Sequence, residues 1–359
     1  MSAEVLISNH RDIILLGASA GGVEALIAVA RALPVGLEAA VFVVLHVPPT
    51  GASVLPRLLG RAGGLPASHA TNGETIQRGR IYVAPPDRHL LVRDGNMMLG
   101  RGPAENGHRP AVDPLFRSAA LAYGPRCIGV VLSGALDDGT AGLAVIKAHG
   151  GVTVVQDPAE ALYPSMPRSA LKHVTIDHVL GTARLGPLLS RLVGEPIAGG
   201  RAQVGDHDKE QGLEVGVAAD DLGAADELTK LGVPSVFACP DCAGVLWEVR
   251  DHALLRYRCR VGHSYLPEGL GAAQSDALEE ALWVAIRALK ENAALSAQMA
   301  MRTRERGLSQ LATEYTRRQT EAEDRAKLVE SVLRRGRLSA TSDTADISPG
   351  TQTKTNVDG

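Results

Sequence analysis

Between positions 12 and 193 the chain alternates short apolar runs with longer stretches of helical spacing. Runs of strand length occur at 13–16, 41–46, 80–84, 126–132, 152–155 and 173–179. Several are almost wholly apolar, as expected when both faces of a parallel sheet are covered. Segments 22–33, 113–123, 139–149 and 185–193 read as helices between or after them. The alternation predicts an α/β fold with a doubly wound, mostly parallel sheet. Segment 80–100 breaks the rhythm. Its short runs around Pro85-Pro86-Asp87 and Asp94-Gly95 predict a small antiparallel hairpin.

The rhythm stops after 193. Residues 194–233 are rich in Gly, Asp and Glu and read as a linker, with one short helix over 224–231. Residues 234–270 form a small Cys/His unit. From 274 to 336 the pattern is helical, with Leu278, Leu282, Ile286 and Leu289 on one face and Leu308, Leu311, Tyr315, Leu328 and Val332 further on. Gly307 is expected to split or kink this region. Residues 337–359 are rich in Ser, Thr, Asp and Gly and read as a disordered tail.

Composition adds exclusions. A net charge of −3 gives no reason to expect nucleic acid as a partner. No uninterrupted apolar stretch approaches the ~18 residues of a membrane span, and positions 1–11 lack a signal-type run. A cytoplasmic protein without membrane insertion is the expectation. Aromatic residues make up 3% of the chain, so the core is expected to consist of Val, Leu, Ile and Ala.

Of the four cysteines, Cys127 lies in an apolar run and reads as a buried small hydrophobe. Cys239-x2-Cys242 followed by Cys259-x3-His263 has the two-pair spacing of a zinc ribbon. Runs at 245–249 and 254–257 flank Arg250-Asp251-His252-Ala253 and predict a hairpin that would hold the pairs at its ends. A structural zinc on Cys239, Cys242, Cys259 and His263 is the expectation, against the alternative of a hairpin with reduced thiols. His252, in the turn, is set aside as a ligand. No cofactor is expected for catalysis.

The first strand runs into Gly17-Ala18-Ser19-Ala20-Gly21-Gly22 and then a helix. Ser19 thus sits on a strand-to-helix turn at the carboxyl edge of the sheet, where ligand sites of open α/β sheets collect. Glycines permit a sharp turn, and the N–H groups opening the helix can bind an oxyanion. The turn resembles a nucleophile elbow; a phosphate-binding turn or a plain tight turn are the alternatives. A serine needs a base. His46 ends the next strand at the same edge, whereas His69, His89, His108, His149, His173 and His178 lie mainly in turns or near helix ends. Either Asp137 or Asp138, after Val130-Val131-Leu132-Ser133-Gly134, could orient the imidazole or cap the following helix.

Taken together, these motifs resemble the catalytic domain of the chemotaxis protein-glutamate methylesterase family. The nucleophile loop 17–22, Leu45-His46-Val47-Pro48 and Leu132-Ser133-Gly134-Ala135-Leu136-Asp137-Asp138-Gly139 carry the resemblance. So do Gly79-Arg80-Ile81-Tyr82-Val83-Ala84-Pro85-Pro86, Arg109-Pro110-Ala111-Val112-Asp113, Leu115-Phe116-Arg117-Ser118 and Ser165-Met166-Pro167. It covers 12–193, about half of the chain. The resemblance implies that Ser19 attacks a glutamyl γ-methyl ester on a chemoreceptor, that His46 relays the proton and that Asp138 holds His46. It implies an acyl-enzyme, an oxyanion site at Ala20, Gly21, Gly22 and Ala135, and deamidation of receptor glutamines as a second reaction. Ala20, Leu45 and Ala135 depart from the Thr, Gln and Met frequent in the family. The family's best-known members carry an N-terminal receiver domain for phosphorelay control; with the catalytic region starting near residue 12, a receiver-less form is expected here. Methylated chemoreceptor cytoplasmic domains are the implied partner, with a sensor kinase or methyltransferase as further candidates. The alternatives are a serine esterase on another substrate and a non-catalytic receptor-binding adaptor. The basic but charge-mixed helical end reads as a packing or dimerisation element.

Overall fold

The computed structural model describes residues 9–197, 206–229, 232–251 and 254–342. The chain divides into two compact units, 1–273 and 274–359. The first begins with β1 (Ile13–Ala18), α1 (Gly22–Ala32), β2 (Ala40–Leu45), α2 (Leu55–Ala62), β3 (Ala67–His69) and β4 (Ile81–Val83). A hairpin of β5 (His89–Arg93) and β6 (Asn96–Gly100) follows, then α3 (Val112–Tyr123), β7 (Cys127–Val131), α4 (Thr140–Ala148) and β8 (Val152–Gln156). α5 (Ser165–His173), β9 (His178–Leu180) and α6 (Thr182–Gly194) complete this part.

Seven strands form one parallel sheet in the order β3-β4-β2-β1-β7-β8-β9. Side chains of β1 alternate between two cores, as the period of a strand requires. Ile14, Leu16 and Ala18 meet Leu26 and Val29 of α1, Leu59 of α2 and Leu189 of α6. Ile13 and Leu15 meet Phe116 of α3, Val145 of α4 and Met166 of α5. Both faces are covered, so the apolar runs lack polar alternation. The β5–β6 hairpin is antiparallel and stands outside this sheet, as predicted. Cys127 is buried on β7.

Within this part three elements escaped the sequence pattern: α2, β3 and α5. The expected strand at 173–179 shrinks to β9, because 165–173 is helical. Pro167 sits in the first turn of α5, where no intrahelical donor is needed, and Met166 and Ala170 bury the inner face.

The segment read as a linker contains α7 (Asp206–Ala218) and α8 (Leu222–Thr229), two helices instead of one short one. Their apolar core is small, with Val217, Ala224 and Leu228 buried and Leu213 beside them. Buried charge supplements it. Glu214 of α7 is buried and salt-bridged to Arg256 and Arg258, with Arg117 of α3 at 3.7 Å. A helix anchored by a charge shows little apolar periodicity, which is why the sequence concealed it. Leu231, the end of the expected helix, lies outside the described residues.

Next comes an antiparallel sheet of β10 (Val233–Ala238), β11 (Val245–Asp251), β12 (Leu254–Cys259) and β13 (Ser264–Tyr265), in that order. The expected turn residues His252 and Ala253 are outside the described residues.

α9 (Pro267–Glu305) leads into the second unit, where its later part is followed by α10 (Ser309–Ser342). Gly307 ends α9 at φ 74°, with its N–H on Arg304 O and the Leu308 N–H on Thr303 O, a Schellman cap. Lys290 pairs with Glu330 at 2.6 Å and Arg304 Nη2 donates to Thr316 Oγ1 at 2.8 Å, so the two helices run antiparallel. The buried side chains are largely small: Ala293, Ala300, Ala312, Ala322 and Ala326, with Ile286 and Leu333. Of the expected apolar face, Ile286 is buried, whereas Leu278, Leu308, Leu311, Leu328 and Val332 are exposed. Small side chains let two helix backbones approach closely, and the larger ones stay outside that seam. Positions 337–342, expected in a disordered tail, are helical because α10 continues through Ser342; positions 343–359 lie outside the described residues. Among the described residues no helix is long and apolar enough to cross a membrane.

Candidate active site

Ser19, His46 and Asp138 follow β1, β2 and β7, three neighbouring strands that all point their carboxyl ends at one edge. The chain winds outward in both directions from this centre, so the loops diverge there and leave a crevice. Backbone bonds stitch the loops together: Ser19 N–H donates to Ser133 O at 3.0 Å, and His46 N–H to Ala18 O at 3.2 Å. Gly21 has φ 68°, and a Cβ there would lie 2.9 Å from both Leu162 Cβ and Ser133 Oγ. Gly134 is packed more tightly: a Cβ would lie 1.9 Å from Met166 Sδ and 2.9 Å from Ser19 Cβ.

His46 Nδ1 lies 3.0 Å from Ser19 Oγ, and His46 Nε2 lies 2.7 Å from Asp138 Oδ2. The ring therefore turns Nδ1 to the hydroxyl and Nε2 to the carboxylate. In the neutral imidazole the carboxylate selects the Nε2–H tautomer, leaving the Nδ1 lone pair for the serine proton. Of the two aspartates, Asp138 meets His46. Asp137 turns the other way and accepts the Gly269 N–H at 2.9 Å.

Five N–H groups converge on Asp138. Its Oδ2 accepts from His46 Nε2 and from Val112 N at 2.7 Å; its Oδ1 accepts from Gly139 N at 2.9 Å, Asn106 Nδ2 at 3.1 Å and Asp113 N at 3.2 Å. Val112 and Asp113 open α3, so the positive end of that helix also faces the carboxylate. Burial opposes the charged form, yet the bond to His46, its positive charge and the Val112 N–H outweigh burial and hold Asp138 well below the usual carboxylate range. Asp113 goes the opposite way: burial, and then the charge of Asp138, push it up to about 8. Asp137 is pushed up to about 6, chiefly by burial.

Sequence reasoning set His108 aside and missed Asn106. His108 stacks on His46, with ring centroids 3.7 Å apart and planes inclined by 20°. Burial, then the His46 charge, lower His108 to about 4, so it is neutral near pH 7. Asn106 has φ 50°, a conformation that Asn tolerates better than most residues. The loop carrying both is bracketed by buried His89, whose Nε2–H donates to Pro103 O at 2.9 Å and whose Nδ1 accepts from Ala111 N at 3.3 Å. Asn106-Gly107 was the available signal, a dipeptide suited to a left-handed turn, but its partners lie far away in the chain.

A cleft of about 570 Å³ opens over Ser19 and His46, with Pro48, Asp87, His108 and Arg109 in its walls. Arg109 Nη2 holds Asp87 Oδ1 at 2.6 Å, and that hydrogen bond leads the causes that lower the Asp87 pKa. Ala20 and Gly21 lie in the turn into α1, and Ala135 is exposed one residue past Gly134; the expected oxyanion donor Gly22 is instead spent within the turn, its N–H donating to Ser19 O at 2.9 Å. Leu136 and Leu162 are exposed apolar side chains on these loops.

Cys239, Cys242, Cys259 and His263 come together, with one ligand atom from each within 4.8 Å of every other. Cys242 Sγ lies 3.6 Å from Cys259 Sγ, and His263 Nδ1 lies 3.5 Å from Cys259 Sγ and 3.7 Å from Cys239 Sγ. Zn–S and Zn–N bonds of about 2.3 and 2.0 Å at tetrahedral angles place sulfurs about 3.8 Å apart and sulfur about 3.5 Å from nitrogen. The donor set therefore fits a four-coordinate metal, and its sulfurs are too far apart for a disulfide, whose S–S length is about 2.05 Å.

The model of the CheB methylesterase family matches residues 14–189. A Leptospira interrogans protein, provisionally named a protein-glutamate methylesterase/protein-glutamine glutaminase, is 36% identical over 182 residues, which cover 50% of this chain and 94% of that one. An Anaeromyxobacter dehalogenans protein-glutamate methylesterase/protein-glutamine glutaminase is 40% identical over 169 residues, and there the match spans only 50% of the relative. The crystal structure of the Thermotoga maritima CheB methylesterase catalytic domain aligns at 32% identity with a TM-score of 0.49, covering 51% of this chain and 98% of that one. With the family model over residues 14–189 and a relative 36% identical over 94% of its own length, the chain belongs to the CheB methylesterase family.

Proposed function

We propose that this chain hydrolyses glutamyl γ-methyl esters on chemoreceptors, with Ser19 as nucleophile, His46 as base and Asp138 as the group that orients His46. The observation that carries this reading is the hydrogen-bonded chain from Ser19 Oγ through His46 to Asp138 at the carboxyl edge of the sheet. Ser19 Oγ attacks the ester carbonyl as His46 Nδ1 takes the hydroxyl proton. The tetrahedral oxyanion is received by backbone N–H groups of the turn at Ala20 and Gly21 and of the loop at Ala135; the Gly22 N–H is already committed to Ser19 O at 2.9 Å. Donors of this kind contribute about 3–4 kcal/mol each. Collapse transfers the His46 proton to the methoxy oxygen, and methanol leaves. Water, deprotonated by His46, then releases the glutamate carboxylate. An amide enters by the same route and loses ammonia, which makes receptor glutamines a second substrate. Asp138 remains ionised throughout and stabilises the imidazolium.

Cys239, Cys242, Cys259 and His263 are the residues that would hold a structural zinc. Four protein ligands leave no open position, so the metal would supply folding energy and not catalysis.

Methanol release from methylated receptor membranes tests the reading. Wild type releasing methanol beside an inert Ser19→Ala supports it. Equal release by both removes Ser19 from its role.

A further inference from the structure

The family match stops at residue 189, yet the Cys/His sheet reaches the esterase cleft. Asp241 and His263 line that cleft together with Ser19, His46 and His108. Contact runs deeper than the wall. The Asn106 N–H donates to Ser264 O at 2.7 Å, the Leu266 N–H donates to Asn106 Oδ1 at 3.4 Å, and Glu105 bridges to Ser264. Beneath lie the buried carboxylates Glu105 and Glu214 among Arg117, Arg256 and Arg258; Arg256 also donates to Ser264 Oγ at 2.8 Å. Asn106 thus faces two ways. Its Oδ1 takes a backbone N–H three residues past His263, and its Nδ2 donates to Asp138 Oδ1 and Asp113 Oδ2, each at 3.1 Å. Two residues on, His108 covers the ring of His46.

We infer that the Cys/His unit is a working part of the esterase centre: Asn106 is a positioning residue for Asp138, and a metal on Cys239, Cys242, Cys259 and His263 fixes the β13 backbone on which Asn106 rests. The inference builds on the esterase reading above. Ser264 directly follows the ligand His263, so release of His263 frees the strand that receives the Asn106 N–H. The loop 104–108 then loses its outer support. Asp138 loses one of its five donors and His46 its stacked neighbour. Binding of substrate at the mouth changes less than turnover does.

The full chain is compared as purified, after chelation, as Cys242→Ser and as Asn106→Gly. Glycine accepts φ 50° as readily as asparagine, so that variant removes only the side-chain amide. Four readouts are needed: zinc per chain, far-UV circular dichroism, the rate of fluorophosphonate labelling at Ser19, and kcat and KM on p-nitrophenyl acetate. Chelated protein and Cys242→Ser should lose zinc and fall about ten- to hundred-fold in labelling and kcat, the scale of a catalytic group misplaced by about 1 Å. KM should stay within about two-fold. Asn106→Gly should show the same kinetic loss while keeping its zinc. Full-rate labelling by chelated protein overturns the metal link, as does a wild type that never carries zinc. Full-rate labelling by Asn106→Gly overturns the positioning role. If Cys242→Ser has lost its dichroism, chelated wild type and Asn106→Gly decide. A wild type unlabelled at Ser19 overturns the esterase reading itself, an outcome distinct from equal labelling of all four.

Discussion

Asp138→Asn is nearly isosteric and should leave the sheet intact, yet the geometry condemns it as a base-orienting group. Five N–H groups point at the Asp138 carboxylate. An asparagine offers one acceptor oxygen, so its NH₂ must face donors on one side. Toward Oδ1 it would oppose three of them; toward Oδ2 it opposes only His46 Nε2 and Val112 N, which is the smaller conflict. In that orientation Nε2 becomes an acceptor and the His46 proton moves to Nδ1, the atom 3.0 Å from Ser19 Oγ. The serine then faces a donor, and no base remains. The corresponding tautomer reversal in a serine protease costs about 10⁴-fold in kcat, or about 5 kcal/mol at 1.36 kcal/mol per decade. The Val112 N–H left unpaired should lower stability by about 1–3 kcal/mol in addition. Methanol release and Ser19 labelling by a fluorophosphonate should fall together, and urea denaturation should register the smaller stability loss. A variant within about ten-fold of wild type in kcat would refute the tautomer argument.

Three further outcomes are expected. Asp137, pushed up to about 6 by burial, favours its neutral form in the fold; that stability is complete below about pH 4 and is lost as pH rises through 6, so Asp137→Asn should be about as stable as wild type at pH 4 and more stable by up to about 3 kcal/mol at pH 7.5 in urea titrations. Glu214→Gln removes a carboxylate buried with Arg117, Arg256 and Arg258 and should cost about 3–5 kcal/mol in chemical denaturation; a loss below 1 kcal/mol would show that the network relaxes around the gap. Gly134→Ala places a methyl on Met166 and beside Ser19, so it should lower stability by about 1–3 kcal/mol and slow Ser19 labelling, whereas unchanged labelling would mean that the loop yields without moving the serine.

Local patterns were enough for the parallel sheet, because runs such as Ile13–Ala18 and Ala40–Leu45 are apolar on both faces and their order with the helices leaves few topologies. They also placed Ser19 and His46 at one edge, since each ends a strand of the same direction. The spacing of Cys239, Cys242, Cys259 and His263 marked a cluster that the chain does bring together. Tertiary structure decided what spacing cannot carry. Asp137 and Asp138 are adjacent and chemically identical; only packing turns one to His46 and the other to Gly269. Asn106 draws no attention in the sequence and His108 is one of several histidines in turns or near helix ends; their meaning depends on Asp138 and His46, which the fold alone brings within contact. Residues 206–218 read as linker because much of what anchors α7 is a buried ion network, whose partners Arg117, Arg256 and Arg258 lie 97, 42 and 44 positions from Glu214 in the chain. Periodicity reports a helix through the apolar face it buries, and is silent when charge is buried instead.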